Sequence, residues 1–101
     1  MTLPVRVEPQ ARIDLVTIAE WYDEQDPDAN LPLQLFEEFD SVVSLICERP
    51  EAFPVFEGEV RRAILHQFPC GLYYTVEREC IVVLYFISMA QEQGPGAPRP
   101  S

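Results

Sequence analysis

Apolar side chains along the first half of the chain return every three or four residues. Leu15, Ile18, Ala19 and Tyr22 fall at i, i+3, i+4 and i+7, one face of a helix. Pro9 suits a helix start, so a helix is predicted from about Gln10 to Gln25. Asp26-Pro27-Asp28 interrupts it. A second stripe follows: Leu35, Phe36, Phe39, Val42, Val43, Ile46 and Cys47. Asp28 or Asn30 can cap this helix, Pro32 is tolerated in its first turn, and Pro50 ends it near Glu48. Two helices with so short a link form an antiparallel hairpin.

Beyond Pro50 the period changes. Glu51 to Gly58, with Pro54, reads as a loop. Val60 to Gln93, VRRAILHQFPCGLYYTVERECIVVLYFISMAQEQ, reads as three strands with turns at Pro69-Cys70-Gly71 and Arg78-Glu79. Leu3 to Val7 is a further short strand, placed at an edge because Pro4 cannot donate a ladder hydrogen bond. The fold class is α+β: a helical hairpin packed on a small antiparallel sheet, in the order β-α-α-β-β-β. Residues 1–93 form one domain, and GPGAPRPS at 94–101 is expected to be a disordered tail.

A two-residue turn at Arg78-Glu79 sets Glu77 opposite Cys80, Thr75 opposite Val82 and Tyr73 opposite Leu84. A four-residue turn from Phe68 to Gly71 sets Gln67 opposite Leu72 and Leu65 opposite Tyr74. Strict alternation then gives a nearly all-apolar face: Ala63, Leu65, Leu72, Tyr74, Val76, Ile81, Val83, Tyr85 and Ile87. That face is expected to pack on the helices. The other is mixed: Arg62, Ile64, His66, Tyr73, Thr75, Glu77, Val82, Leu84, Phe86 and Ser88. A slip of one residue would exchange the two.

Charge narrows the partners. The formal net charge is −10, and between Glu20 and Glu59 twelve carboxylates stand against Arg49 alone, a local −11. That half repels phosphate. Every base is an arginine. MTLPVRVEPQ lacks the basic start and apolar block of a secretion signal, and no apolar run reaches membrane-spanning length, so a cytoplasmic protein is expected. Cys47, Cys70 and Cys80 have no metal-ligand spacing and read as small buried apolar residues; no cofactor or metal is predicted. No Gly-rich phosphate loop, GxSxG, HExxH or CxxC occurs.

The mixed face supports two readings. In one, Arg62 and Glu77 form a weak cross-strand pair, and His66 and Tyr73 are ordinary polar neighbours. In the other, Arg62, His66 and Tyr73 converge as an anion clamp with an acid/base pair. Ile64, Val82, Leu84 and Phe86 on the same face would make an apolar patch suited to a protein partner. Trp21-Tyr22 reads as helix packing. The acidic pairs Asp23/Glu24 and Glu37/Glu38 read as solvated faces, because consecutive helix positions do not converge.

The element order, the stretch Val7-Glu8-Pro9-Gln10-Ala11-Arg12-Ile13-Asp14-Leu15, and VRRAILHQFPCGLYYTVERECIVVL together resemble the RelE/ParE toxins of bacterial type II toxin–antitoxin modules, the plasmid stabilisation proteins. The resemblance spans roughly Val5 to Glu92. It implies a small toxin silenced by a cognate antitoxin that wraps an extended or helical segment over it. RelE-like members cut messenger RNA on the ribosome; ParE-like members inhibit DNA gyrase. Many members end the last strand with a histidine, then an arginine three residues on, then Asp-Pro. The matching positions here are Ser88, Gln91, Glu92 and Gln93, so the ring and the guanidinium are both missing. By family position Arg61 and Arg62 remain, with His66 and Tyr73 or Tyr74 as helpers. The resemblance therefore favours a ParE-like toxin acting by contact on gyrase. The alternatives are an endoribonuclease using Arg61, Arg62, His66 and Tyr73, and a non-toxic relative kept as an interaction module.

Overall fold

The computed structural model describes residues 2–89. The tail at 94–101 and the family positions Gln91, Glu92 and Gln93 lie outside them. The chain runs β1 (Val5–Val7), α1 (Pro9–Gln25), α2 (Leu31–Glu48), β2 (Val55–Glu57), β3 (Val60–Ile64), β4 (Cys70–Val76) and β5 (Ile81–Ser88). The strands form one sheet in the order β1-β5-β4-β3-β2.

Both helices are where the apolar period places them. Pro9 sits in the first turn of α1, where its missing N–H costs nothing, and Ala11, Ile18, Ala19 and Tyr22 are buried. Asn30 occupies the N-cap position of α2 but makes no side-chain cap; it supplies a left-handed turn instead, with φ 56°. Asparagine is among the few non-glycine residues that adopt that conformation readily. Leu35, Phe39, Val42, Ile46 and Cys47 face the core. Phe36, expected in that stripe, is exposed.

The first strand does lie at an edge, but it runs parallel to β5, so the sheet is mixed. Ile81 N–H donates to Pro4 O at 2.8 Å, and Glu8 N–H donates to Val83 O at 3.0 Å. Beyond Val7 a helix carboxylate continues the edge. Asp14 Oδ2 accepts Phe86 N–H at 3.1 Å, and Gln10 Nε2 donates to Asp14 Oδ1 at 2.7 Å. Asp14→Ala would leave that N–H unpaired and should cost about 1–3 kcal/mol in urea unfolding, with Asp14→Asn, which keeps an acceptor, costing less.

The other edge holds a strand the sequence reading missed. Val55–Glu57, expected as loop, pairs antiparallel with β3, and Gly58, at φ 58°, makes the turn between them.

The register of β3 against β4 also differs from expectation. Tyr74 lies opposite Arg61, not Leu65, and Leu72 opposite Ala63, not Gln67. The strands stop earlier because Leu65 to Pro69 forms a wide loop. Phe68 turns inward, its ring 4.9 Å from that of Tyr22. Glu38 of α2 accepts His66 N–H at 2.7 Å and Gln67 N–H at 3.0 Å. Glu38 is therefore a tie between helix and loop, not a solvated acid. The displacement is an even number of residues, so Ala63 and Leu72 keep their expected face.

Between β4 and β5 the tight turn is as expected: Glu77 N–H donates to Cys80 O at 2.8 Å, and Thr75 lies opposite Val82. Then the register breaks. Tyr74 pairs Val83 but Tyr73 pairs Tyr85, leaving Leu84 as a bulge. One extra residue exchanges the faces of everything after it. Phe86 and Ser88 turn toward the helices, and Tyr85 and Ile87 turn outward. Phe86 is 2 % exposed and meets Phe39 edge-on at 5.4 Å.

Candidate functional site

The four residues singled out for chemistry do not converge. Arg61 and Arg62 are neighbours on β3 and point to opposite faces. Arg61 Nη1 donates to Phe53 O at 2.7 Å and to Glu51 O at 3.3 Å. Tyr74 Oη donates to Pro50 O at 2.8 Å beside it. Together they pin the loop after α2. Burial pushes the Tyr74 phenol up to about 12, although nearby Arg61 acts to lower it. His66 is exposed in the β3–β4 loop, anchored through its backbone to Glu38.

Arg62 and Tyr73 do meet, as direct cross-strand partners on the outer face of the sheet. Two residues that sequence reasoning did not place on this face complete the group. The Arg62 guanidinium lies over the Phe56 ring, 4.9 Å from its centroid. Phe56 meets Tyr73 edge-on at 5.0 Å, and Tyr73 stacks on Tyr85 at 4.6 Å. Burial, then Tyr73 and Glu57, raise the Tyr85 phenol. Gly71 makes room for this layer, since a Cβ there would come within 3.2 Å of Tyr73 Cε1 and of Met89 Cε. The result is an aromatic tier carrying one cation. A guanidinium on an exposed ring contributes on the order of 0.5–1 kcal/mol, enough to orient Arg62 without making it reactive. Phe56 was hidden because β2 was read as loop, and Tyr85 because the bulge moved it.

The expected apolar patch of Ile64, Val82, Leu84 and Phe86 does not form, and the bulge accounts for Phe86. Ile64 is 41 % exposed, but Val82 is only 3 % exposed, Leu84 is half-buried and Phe86 belongs to the core. Among the described residues, no group of three His, Cys, Asp or Glu side chains is placed to hold a metal ion.

The larger apolar exposure is on the helices. Ile13 is 59 % and Val16 52 % exposed on α1, and Leu33 and Phe36 are exposed on α2. Between the helices Val16, Ala19, Glu20, Asp23, Pro32 and Phe36 line a groove of about 240 Å³. Trp21 sits against Tyr22 edge-on at 4.9 Å, as helix packing.

A third group lies beneath α1, where it meets β4 and β5. The Tyr22 phenol and Ser88 hydroxyl are buried without a hydrogen-bond partner of good geometry, close to the Cys70 thiol. Burial pushes Tyr22 up to about 12 and Cys70 up to about 11. Ser88, the position where the family resemblance expects a histidine, is thus an inward-facing core residue here.

No protein-family model and no curated protein sequence matches the chain. Solved structures do. One, the "Chromosomal ParDE TA system from P. aeruginosa", superposes with a TM-score of 0.74 at 18% sequence identity, covering 86% of this chain and 96% of that one. At that identity the likeness is one of fold, and it extends over nearly the whole of the other chain. The fold expected from the resemblance, two helices on a sheet in a ParE-like order, is the one observed.

Proposed function

We propose that the chain is the toxin of a type II toxin–antitoxin pair, held silent by a cognate antitoxin and acting by protein contact on DNA gyrase in the cytoplasm. The fold shared with a chain of the ParDE TA system carries this reading. The placement of the basic residues supports contact over cutting. Arg61 is engaged by backbone carbonyls, and His66 lies apart from the Arg62–Tyr73 pair. RNA approaching the helical half would meet the local charge of −11, although salt screens this beyond ~8 Å. Among the described residues no helix is long and apolar enough to cross a membrane.

Tightly induced expression in a bacterial host, with DNA and protein synthesis followed by pulse-labelling, tests the reading. DNA synthesis should fail first, the pure protein should inhibit gyrase supercoiling, and the product of the adjacent reading frame should co-purify and restore growth. Earlier failure of protein synthesis would point instead to ribosome-dependent RNA cutting through Arg62 and Tyr73. No effect from abundant folded protein would point to a non-toxic interaction module.

A further inference from the structure

We infer that the segment Pro95-Gly96-Ala97-Pro98-Arg99-Pro100 docks across the aromatic tier of its own chain as a polyproline II helix, with Pro95 on Tyr85, Pro98 on Phe56 and Arg99 beside Glu57. This goes beyond the toxin reading and does not depend on it.

The tier matches the spacing of the prolines. Tyr85, Tyr73 and Phe56 stand side by side on β5, β4 and β2, with ring centroids 4.6 Å and 5.0 Å apart. The outer two rings are thus no more than about 10 Å apart, and a polyproline II helix, with three residues per turn and about 3.1 Å per residue, presents Pro95 and Pro98 on one side about 9 Å apart. Phe56 and the neighbouring Ile64 are exposed, and Tyr85 is half-buried. The backbone groups of β3, β4 and β5 are engaged in the ladder, so this face offers rings and hydroxyls rather than a pairing edge. That suits a polyproline II segment, which needs no ladder and leaves its carbonyls free to accept from a tyrosine hydroxyl. Aromatic-lined surfaces are the usual seat of P-x-x-P sequences.

The path of the chain fits as well. The Met89 side chain lies on the same face: its Cε is 3.2 Å from where a Cβ on Gly71 would sit, and Tyr73 Cε1 is equally near that point. Tyr85 lies four positions back along β5, about 13 Å at about 3.3 Å per residue. The residues 90–94 between Met89 and Pro95 span up to about 20 Å, with Gly94 before Pro95 to reverse the chain. From Tyr85 the segment runs toward β2, meets Phe56 at Pro98 and brings Arg99 to Glu57, the next residue on that strand. Glu57 borders the tier, since it acts to raise the Tyr85 phenol. Arg62 is already placed over the Phe56 ring, which leaves that carboxylate for Arg99. So short a tether holds the segment at a millimolar effective concentration, so a weak contact suffices and a foreign proline-rich peptide competes poorly. The docked segment covers Arg62 and Tyr73, and a partner of the outer face has to displace it.

Proton NMR of the full chain tests this. The Pro95 and Pro98 rings should show cross-relaxation with the Tyr85 and Phe56 rings and upfield ring-current shifts. Pro95→Gly with Pro98→Gly should abolish the cross-relaxation and move the amide signals of Ile64, Tyr73 and Tyr85, while Leu33 on α2 stays in place. Circular dichroism checks that each variant is folded. With the tier vacated, this variant should bind a synthetic PGAPRP peptide with a millimolar Kd, and the parent chain should bind it about tenfold more weakly. Arg99→Glu should weaken the cross-relaxation, and adding Glu57→Arg should restore it. Proline signals that match those of the free peptide, with tier signals unmoved by the substitutions, would overturn the inference. So would tier shifts that grow with protein concentration, which would mean that the segment docks on a second copy.

Discussion

Phe86→Ala should lower the stability of the domain by about 3–5 kcal/mol, while Ile64→Ala should stay within about 0.5 kcal/mol of the parent. Unbroken alternation along β3 and β5 places both residues on the outer face and predicts two similar, small effects. The bulge at Leu84 separates them. Phe86 is held edge-on against Phe39, beneath the helices. Removing its ring leaves a cavity between α2 and β5 that neither can close without moving. Urea unfolding followed by the single tryptophan, Trp21, measures both variants in one experiment. Equal, small losses would mean that the bulge is misplaced and that Phe86 faces outward.

Alkali should unfold the protein well before its remaining ionisable groups require it. The Cys70 thiol is raised from 9.0 to about 11, and the Tyr22 and Tyr74 phenols from 10.0 to about 12, each chiefly by burial. The unfolded chain gives up these protons at 9.0 and 10.0, whereas the folded chain holds them. Across that window the folded state binds more protons, so stability falls as pH rises. The contribution is fully present below 9.0 and is lost by about 12. For the wholly buried Cys70 alone the shift corresponds to about 2–3 kcal/mol. Thermal unfolding between neutral pH and strong alkali should show a flat region and then a steep decline, and Cys70→Ala should soften its first part. A melting temperature that holds level through that range would show that the three groups are solvated.

The two helices were legible because a period of 3.6 is carried by many residues at once. The edge position of β1 was legible from Pro4, and the β4–β5 turn from the pairing it sets between Thr75 and Val82. What escaped was settled by contacts distant in sequence. β2 has three residues, all exposed, and so no alternation to read. The β3–β4 register depends on Glu38 reaching the loop from α2 and on Phe68 finding Tyr22. The bulge leaves no mark, because Leu84-Tyr85-Phe86-Ile87 is apolar at every position and fits either face. The candidate site shows the same division. Arg62 and Tyr73 were placed together by alternation, whereas Phe56 and Tyr85 needed the strand and the bulge. Phe36 was read as core because its spacing matched, yet it lines the groove instead.

The parallel pairing of β1 with β5 bears on the timing of synthesis. Val5 lies against Ile81, and the Asp14–Phe86 bond spans 72 positions. At about 5–20 residues per second, a ribosome takes about 4–15 s to travel between these partners. Throughout that interval the helical hairpin has no completed sheet to rest on, and its inward and groove-facing apolar stripes are both uncovered. The finished fold arises only when the last strand emerges, through long-range contacts of the kind that close in milliseconds to seconds. A partner already present in the cell thus has several seconds in which to meet the hairpin before the complete fold exists.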